Sequence, residues 1–599
     1  MIRTPLRPLA RILAARASGA DPDAIEAENL RQRNDARRDD LRVRAEGRLF
    51  VLVLCFLGAF LTVGVRMGTL AASEAEEPRL AAAGEAIVAT RADITDRNGR
   101  LLATNLDTHS LYAQPELMVD PARAAQDLAR VFPDIEADAL HRRFTDGRKF
   151  LWIKKKISPE QMQAVHDIGE PGLLFGPREM RLYPNGRLAS HVLGGASFGR
   201  EDVHSAEVIG TAGIEKAFDS YLRDPGLAGA PLATSLDLRV QAATRTVLDG
   251  GMKLLNAKGA SAVLMDVRTG EILSLVSLPD FDPNDRPQPL GTGDQSDSPL
   301  FNRAVQGVYE LGSVLKIFAA AQAIELGLVN QNTVIDTSGP MRIAGFPIRE
   351  FRNKNYGKIP VSEIIVVSSN RGTARLALQI GAERQREFLR RFGFLAPTEL
   401  EMVEAPTGRP LYPARWQELS TVTISYGHGI STSPVHLAAG YASLVNGGTR
   451  VRPTLLRQPG PQQGERLVSE STSRAARDML RAVVTEGTAS FAEVPGYKIG
   501  GKTGTADKPR AAGGGYYEDK VIATFASIFP ADDPKYVLVV TLDEPQETTG
   551  EKPRRTAGWT AVPVASEITR RVAPLLGLRP TVEATPLAGL TPIASRSGD

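Results

Sequence analysis

Between Arg48 and Arg66 the chain runs LFVLVLCFLGAFLTVGV, residues 49–65, without a single charge. As a helix this stretch is about 25 Å long, a little short of a hydrocarbon core of about 30 Å. Met67 to Ala72 extend it, and Arg66 can snorkel to the interface. A cleaved leader would have a shorter positively charged region before it, whereas about fifty Arg-rich residues precede this run. A buried core helix would carry a polar face, and this one carries none. The expectation is a single, uncleaved N-terminal transmembrane helix over residues 49–72. Residues 1–48 hold 11 arginines against 8 acids, which places that tail in the cytoplasm and everything after residue 72 on the other side. In a bacterium that is the cell-wall side of the inner membrane, where ATP is absent.

The chain has 599 residues, and the part beyond this segment is long enough for several domains. The formal net charge of +3 is carried by the first 48 residues, so the remainder is balanced and nothing points to nucleic acid. The only cysteine, Cys55, lies inside the apolar run, which rules out an intrachain disulfide and a cysteine metal site. Residues 85–231 alternate short apolar runs with turn signals such as Asp96-Arg97-Asn98-Gly99 and Tyr183-Pro184-Asn185-Gly186, the pattern of a mixed α/β module with no recognisable nucleophile. Residues 232–576 form a second module. Ser261–Asp266 and Glu271–Val276 flank Thr269-Gly270 as a hairpin, and Ala523–Phe529 with Tyr536–Leu542 repeat the signal around 530–534. Helical patterns at Leu315–Leu326 and Ser362–Gln379 lie between the pairs, so the fold class is α+β with an antiparallel sheet. Residues 577–599 read as a disordered tail.

Three short segments could carry chemistry. Ser313 and Lys316 stand three apart at the start of an apolar helix, nearly one turn, so a hydroxyl and an amine share a face and can exchange a proton. A serine at a helix start also has free N–H groups and the positive dipole end nearby, which favour an oxyanion. Ser368-Ser369-Asn370 supplies a hydroxyl and an amide. Lys502-Thr503-Gly504-Thr505 supplies a cation, two hydroxyls and a close backbone approach, suited to a carboxylate lying along a strand edge. Each alone is equally well a polar cap or a loop. In this order, Ser-x-x-Lys, Ser-x-Asn, Lys-Thr-Gly, they form the signature of penicillin-binding proteins and serine β-lactamases.

Further stretches extend the match: Arg91-Ala-Asp-Ile-Thr-Asp-Arg-Asn-Gly99, Arg181-Leu-Tyr-Pro184, His191-Val-Leu-Gly194, Gly213-Ile-Glu215, Thr234-Ser-Leu-Asp237, Pro279–Asn284 and Val484-Thr-Glu-Gly-Thr-Ala489. From the anchor to about residue 576 the chain resembles the class B penicillin-binding proteins, most closely the septal peptidoglycan transpeptidases. Leu542-Asp-Glu-Pro545 favours the division branch over the elongation branch. Three positions depart from the family pattern: Leu311 for a frequent proline, Ser369 for the β-lactamase aspartate, and His428 for a frequent tyrosine. None removes a reacting group.

The resemblance implies a transpeptidase domain of the penicillin-binding/β-lactamase type, with helices on its sheet's faces and a helical subdomain, raised on a non-catalytic dimerisation-type pedestal. Ser313 would be acylated, Lys316 would take its proton, Ser368 would relay a proton to the leaving amine, and Asn370 would orient the substrate. Lys502, Thr503, Gly504 and Thr505 would bind the terminal carboxylate. The family also implies stem peptides ending in D-Ala-D-Ala as donor, acylation by β-lactam antibiotics, an FtsW-like glycosyltransferase and other division proteins as partners, and no cofactor. A D,D-carboxypeptidase, a β-lactamase-type hydrolase and an idle wall-binding scaffold are the rival classes. Gly496–Thr503 also fits a P-loop, with Asp543-Glu544 ending an apolar strand, but Gly504, Pro509 and Gly513–Gly515 forbid the helix a P-loop needs. The scattered histidines give no metal spacing, and His428 and His436 have the look of structural residues rather than triad members. Gly513–Gly515 suggests a flap, and Trp416, Trp559 and Tyr516-Tyr517 border a cleft or pack.

Overall fold

The computed structural model describes residues 9–19, 21–72, 91–201, 206–510 and 514–581. The expected start of the pedestal at 85–90, most of the C-terminal tail and Gly513 of the expected flap lie outside them. The chain divides into two units, residues 1–81 and 82–599. In the first, helices span Leu9–Ser18 and Pro22–Ala72. The described side chains of the apolar run, continuous over 51–65, are exposed. Among the described residues no helix is long and apolar enough to cross a membrane.

The second unit opens with a mixed sheet. Its long strand, Leu101–Ala113, pairs antiparallel with Leu173–Leu182 along its length and with Leu151–Ile157 at its far end. Its near end pairs with Ile94–Thr95, which in turn pairs parallel with Leu232–Ala233. The predicted turn after Thr95 forms because the Asp96 carboxylate accepts the N–H groups of Asn98 and Arg100, at 2.8 and 2.9 Å. Helices Pro121–Val131, Ala137–Thr145 and Pro159–His166 cover the sheet through a separate small core that includes Leu111, Leu128, Phe144 and Ile157. Three stretches that carry the family resemblance meet at one fully buried carboxylate. Glu215 accepts from Arg91 Nε and Arg181 Nε, each at 2.7 Å. A buried charge shared by two guanidiniums fixes the three segments together, since removing one partner would leave an uncompensated ion.

Residues after Leu238 build an antiparallel five-stranded sheet in the order Gly500–Pro509, Tyr516–Phe529, Tyr536–Asp543, Gly259–Asp266, Ile272–Leu278. Both predicted hairpins are present, with Ser261 opposite Ser277 and Phe529 opposite Tyr536. Gly259–Asp266, Ile272–Leu278 and Tyr536–Asp543 are buried on both faces. Helices Leu238–Leu254 and Ala561–Leu575 cover one face, meeting where a Cβ on Gly251 would stand 2.7 Å from Val564. Helix Pro434–Val445, buried along its whole length, covers the other with Glu470–Thr485. Helix Lys316–Glu325 packs against Glu470–Thr485 and against a helical region that includes Val361–Val366, Asn370–Ile380 and Glu418–Ser425.

The helix predicted over 362–379 is two helices. The chain breaks at Ser368, whose φ of 61° lies in the left-handed region, and Ser369 then caps the second helix by accepting the Gly372 N–H at 2.9 Å. A non-glycine residue held there costs on the order of 1 kcal/mol or more, so something outside the segment must fix it.

Candidate active site

The nucleophile candidate is carried by a tight turn. Gly312–Leu315 is a single 3₁₀ turn leading into helix Lys316–Glu325, and it places Ser313 half-buried one turn before Lys316. Gly312 has φ 65°, and its N–H donates to Gly427 O at 3.2 Å. A Cβ on Gly427 would lie 1.9 Å from Gly312 O, and one on Gly504 would lie 2.1 Å from Leu311 O. Three backbones therefore meet here at a distance only glycine allows, and the edge strand Gly500–Pro509 lies flush against the Ser313 turn. From behind, the Tyr441 hydroxyl donates to Val314 O at 2.8 Å.

This close approach has a measurable consequence. Gly504→Ala should force the strand off the turn, lowering the rate of penicillin acylation by about 10²-fold, the usual cost of misplacing a reacting group by an ångström. Thermal unfolding should show the smaller loss of about 1–3 kcal/mol typical of overpacking. An acylation rate equal to that of the unsubstituted chain would show that the two segments need not touch.

Lys316 and Lys502 are both fully buried and converge on Ser368. Lys316 Nζ reaches Ser368 O at 2.5 Å, Asn370 Oδ1 at 2.7 Å and Ser368 Oγ at 3.2 Å. Lys502 Nζ donates to Ser368 Oγ at 3.0 Å and to Thr503 O at 3.1 Å. The turn at Ser368 is thus held by the Lys316 amine through its carbonyl, which is the external cause the broken helix required. Burial pulls Lys316 down to about 7, with the Glu350 carboxylate opposing. Burial, and after it the charge of Lys316, pulls Lys502 well below the usual lysine range. A neutral Lys316 suits its surroundings: two N–H groups meet two acceptors, leaving the lone pair for a hydroxyl.

Ser313 stands in the turn just before Lys316, no hydrogen bond joins them, and among the described residues the Ser313 hydroxyl has no partner. The amine is occupied by Ser368 and Asn370. Catalytic hydrogen bonds are often long or unmade before substrate binds.

Lys502 to Thr505 lie on the edge strand, paired with Ala526 to Ala523. The strand continues to Pro509 with no helix after it, which disposes of a P-loop. Thr503 Oγ1 stands 2.7 Å from Thr488 Oγ1, and Thr505 Oγ1 accepts the Ala557 N–H at 3.0 Å. His436 is buried between Ser433 Oγ and Ala396 O, at 2.7 and 2.8 Å, and burial lowers its pKa, so its role is structural. His428 faces Glu310 at 3.3 Å, and among the described residues neither histidine is hydrogen-bonded to Ser313. Among the described residues no group of three His, Cys, Asp or Glu is placed to hold a metal ion.

Sequence reasoning missed Glu350, Thr488 and Glu310. Glu350 is buried and accepts from Ser369 Oγ, Asn370 N and Arg371 N, at 2.6, 2.8 and 3.0 Å. It holds the Ser369–Arg371 segment by three hydrogen bonds separate from those of Lys316. Glu310 accepts from Gly429 N at 2.8 Å and from the Tyr516 hydroxyl, tying the nucleophile turn to its neighbours. Thr488 lies within Val484–Ala489, a stretch that carries the family resemblance without marking which of its hydroxyls faces the edge strand.

Comparison with known proteins agrees with this geometry. Residues 260–569 match the penicillin-binding protein transpeptidase domain, and residues 86–226 match the penicillin-binding protein dimerisation domain. The probable peptidoglycan D,D-transpeptidase FtsI of Caulobacter vibrioides is 33% identical over 574 residues, covering 93% of each chain. The peptidoglycan D,D-transpeptidase FtsI of Escherichia coli is 30% identical over 489 residues, covering 76% of this chain and 79% of its own. A crystal structure of penicillin-binding protein 3 from Mycobacterium tuberculosis, complexed with aztreonam, superposes with a TM-score of 0.62 at 26% identity, covering 82% of this chain and 97% of that one. The order of the motif segments, their convergence around Ser368 and these relationships together mean that the chain belongs to the penicillin-binding protein transpeptidases, in the FtsI-type group.

Proposed function

We propose that the chain is a septal peptidoglycan D,D-transpeptidase that cross-links stem peptides through an acyl-enzyme on Ser313 and is inactivated by β-lactams. The observation that carries this is the meeting of Lys316, Lys502 and Asn370 around Ser368, one turn from Ser313. Neutral Lys316 takes the Ser313 proton as Oγ attacks the carbonyl of the penultimate D-alanine. The N–H groups of Ser313 and Thr505 hold the oxyanion. On collapse the C–N bond breaks, and D-alanine leaves with a proton passed from Lys316 through Ser368. An acceptor amine then attacks the ester carbonyl, its proton returns along the same path, and Oγ leaves as the Ser313 hydroxyl. Asn370 orients the donor amide. Lys502, Thr503 and Thr505, with Gly504 allowing close approach, hold the donor carboxylate. That carboxylate supplies the negative charge that restores Lys502 to its ammonium form and so keeps Lys316 neutral.

Residues 85–231 act as the pedestal and 232–576 as the catalytic module, with residues 1–48 as cytoplasmic tail and 49–72 as the single-pass inner-membrane anchor; the expected free tail does not begin at 577, since Leu578 O accepts from the Tyr497 hydroxyl and Thr581 N–H donates to Gly496 O, at 3.3 and 2.8 Å. The charge-free run supports the anchor, as does Thr62, whose hydroxyl donates back to Gly58 O at 2.8 Å within the helix and so asks nothing of the lipid. The FtsI-type relationship supports septal action beside an FtsW-like glycosyltransferase and other division proteins. Supplying a D-Ala-D-Ala donor with and without an acceptor amine tests the reaction type. The expected outcome is a cross-linked product with the amine present. Hydrolysed donor alone, at every acceptor concentration, would make the protein a carboxypeptidase.

A further inference from the structure

Beyond the Thr503 end of the cleft lies an aromatic surface that the acyl-transfer steps leave unused. Phe491 and Trp559 are 53% and 40% exposed, with ring centres 5.2 Å apart. They line an open pocket of about 340 Å³ together with Pro563, Ser566, Glu493 and Glu567. Arg554 stacks 3.8 Å from the Trp559 ring centre and is itself bonded to Glu547 at 2.5 Å. The carboxylates at its edge are paired, Glu493 with Arg481 and Glu567 with Arg570 and Arg571. Exposing two large rings forgoes their burial, so a ligand is the natural return.

The surface is coupled to the catalytic strand. Ala557, two residues before Trp559, donates to Thr505 Oγ1, and Thr488, three residues before Phe491, bonds Thr503. On the acyl-transfer reading, on which this inference rests, the donor's terminal D-alanine points toward Thr503. The acceptor amine must take the place that D-alanine vacates, so the acceptor strand enters from that same end. A pyranose ring has an apolar C–H face and a hydroxyl rim, matching an aromatic wall with carboxylate and hydroxyl acceptors at its edge.

We infer that the pocket walled by Phe491 and Trp559 is a subsite for a sugar ring of the acceptor glycan strand. It makes the enzyme prefer an acceptor peptide still attached to its glycan. The test compares transfer to a stem-peptide acceptor carrying its disaccharides with transfer to the same peptide without sugar. Trp559→Ala should raise KM for the glycan-bearing acceptor by about tenfold or more with kcat unchanged, and leave the bare peptide within about twofold. Trp559→Phe should restore most of the preference. Phe491→Ala and Glu567→Gln should move the same KM in the same direction, and they carry the test if Trp559→Ala fails to fold. Penicillin acylation should be unchanged in all, so loss of acylation in the unsubstituted chain would strike the acyl-enzyme reading and not this one. An unchanged KM for the glycan-bearing acceptor, or an equal loss with the bare peptide, overturns the inference.

Discussion

Ser313→Ala should abolish covalent labelling by fluorescent penicillin while leaving the protein as stable as before. The side chain is half-buried and its hydroxyl bonds nothing among the described residues, so its removal opens no cavity and strands no partner. Stability should stay within about 0.5 kcal/mol, the range of substitutions away from any packing or hydrogen-bonding role. Chemistry should suffer far more, because the nucleophile is the atom that forms the new bond. A loss of transfer on the order of 10⁴-fold or more is expected. Gel fluorescence of labelled membranes reads the first effect and thermal unfolding the second. Labelling that persists would place the nucleophile elsewhere. Labelling lost together with a large fall in melting temperature would mean that Ser313 supports the turn rather than reacting.

The parts of this site legible in the sequence were those whose chemistry is local. Ser313 with Lys316 is a helix-spacing argument, and the two hairpins follow from paired apolar runs around short turns, although the strands prove to be buried on both faces rather than alternately. The break at Ser368 was not legible, because apolar spacing continues through 362–379 and the residue that bends the chain there, Lys316, is some fifty positions away. Glu350 shows the same limit. It sits in a turn-rich stretch with no periodicity, and its importance lies wholly in the three donors that the fold brings to it. In the pedestal, Arg91, Arg181 and Glu215 were each visible as parts of separate stretches. That two guanidiniums share one buried carboxylate is a tertiary fact that spacing does not encode.

Lys316→Met separates the base from the scaffold. Methionine keeps the unbranched shape in a fully buried position but removes the amine. Ser368 O and Asn370 Oδ1 each lose a donor, at about 1–3 kcal/mol apiece. Against this, the substitution removes a buried amine that the fold already holds far below its ordinary pKa. The two effects oppose, so thermal stability should change much less than acylation, which should fall by about 10²–10⁴-fold, the usual share of a general base. Lys502→Met should instead weaken binding of donors that carry a terminal carboxylate. The pH profile isolates Lys316 further. Only its neutral form takes a proton, and with a pKa of about 7 the neutral fraction is nearly complete a unit or more above that pH and falls about tenfold per unit well below it. The acylation rate constant should therefore plateau on the alkaline side and decline with a slope of one on the acid side. In Lys316→Met the residual rate should lose that limb. An unsubstituted enzyme whose acid limb is absent, or whose limb survives in Lys316→Met, would assign the proton acceptor to another group. Lys502, which shares the Ser368 hydroxyl, would then be the first to examine.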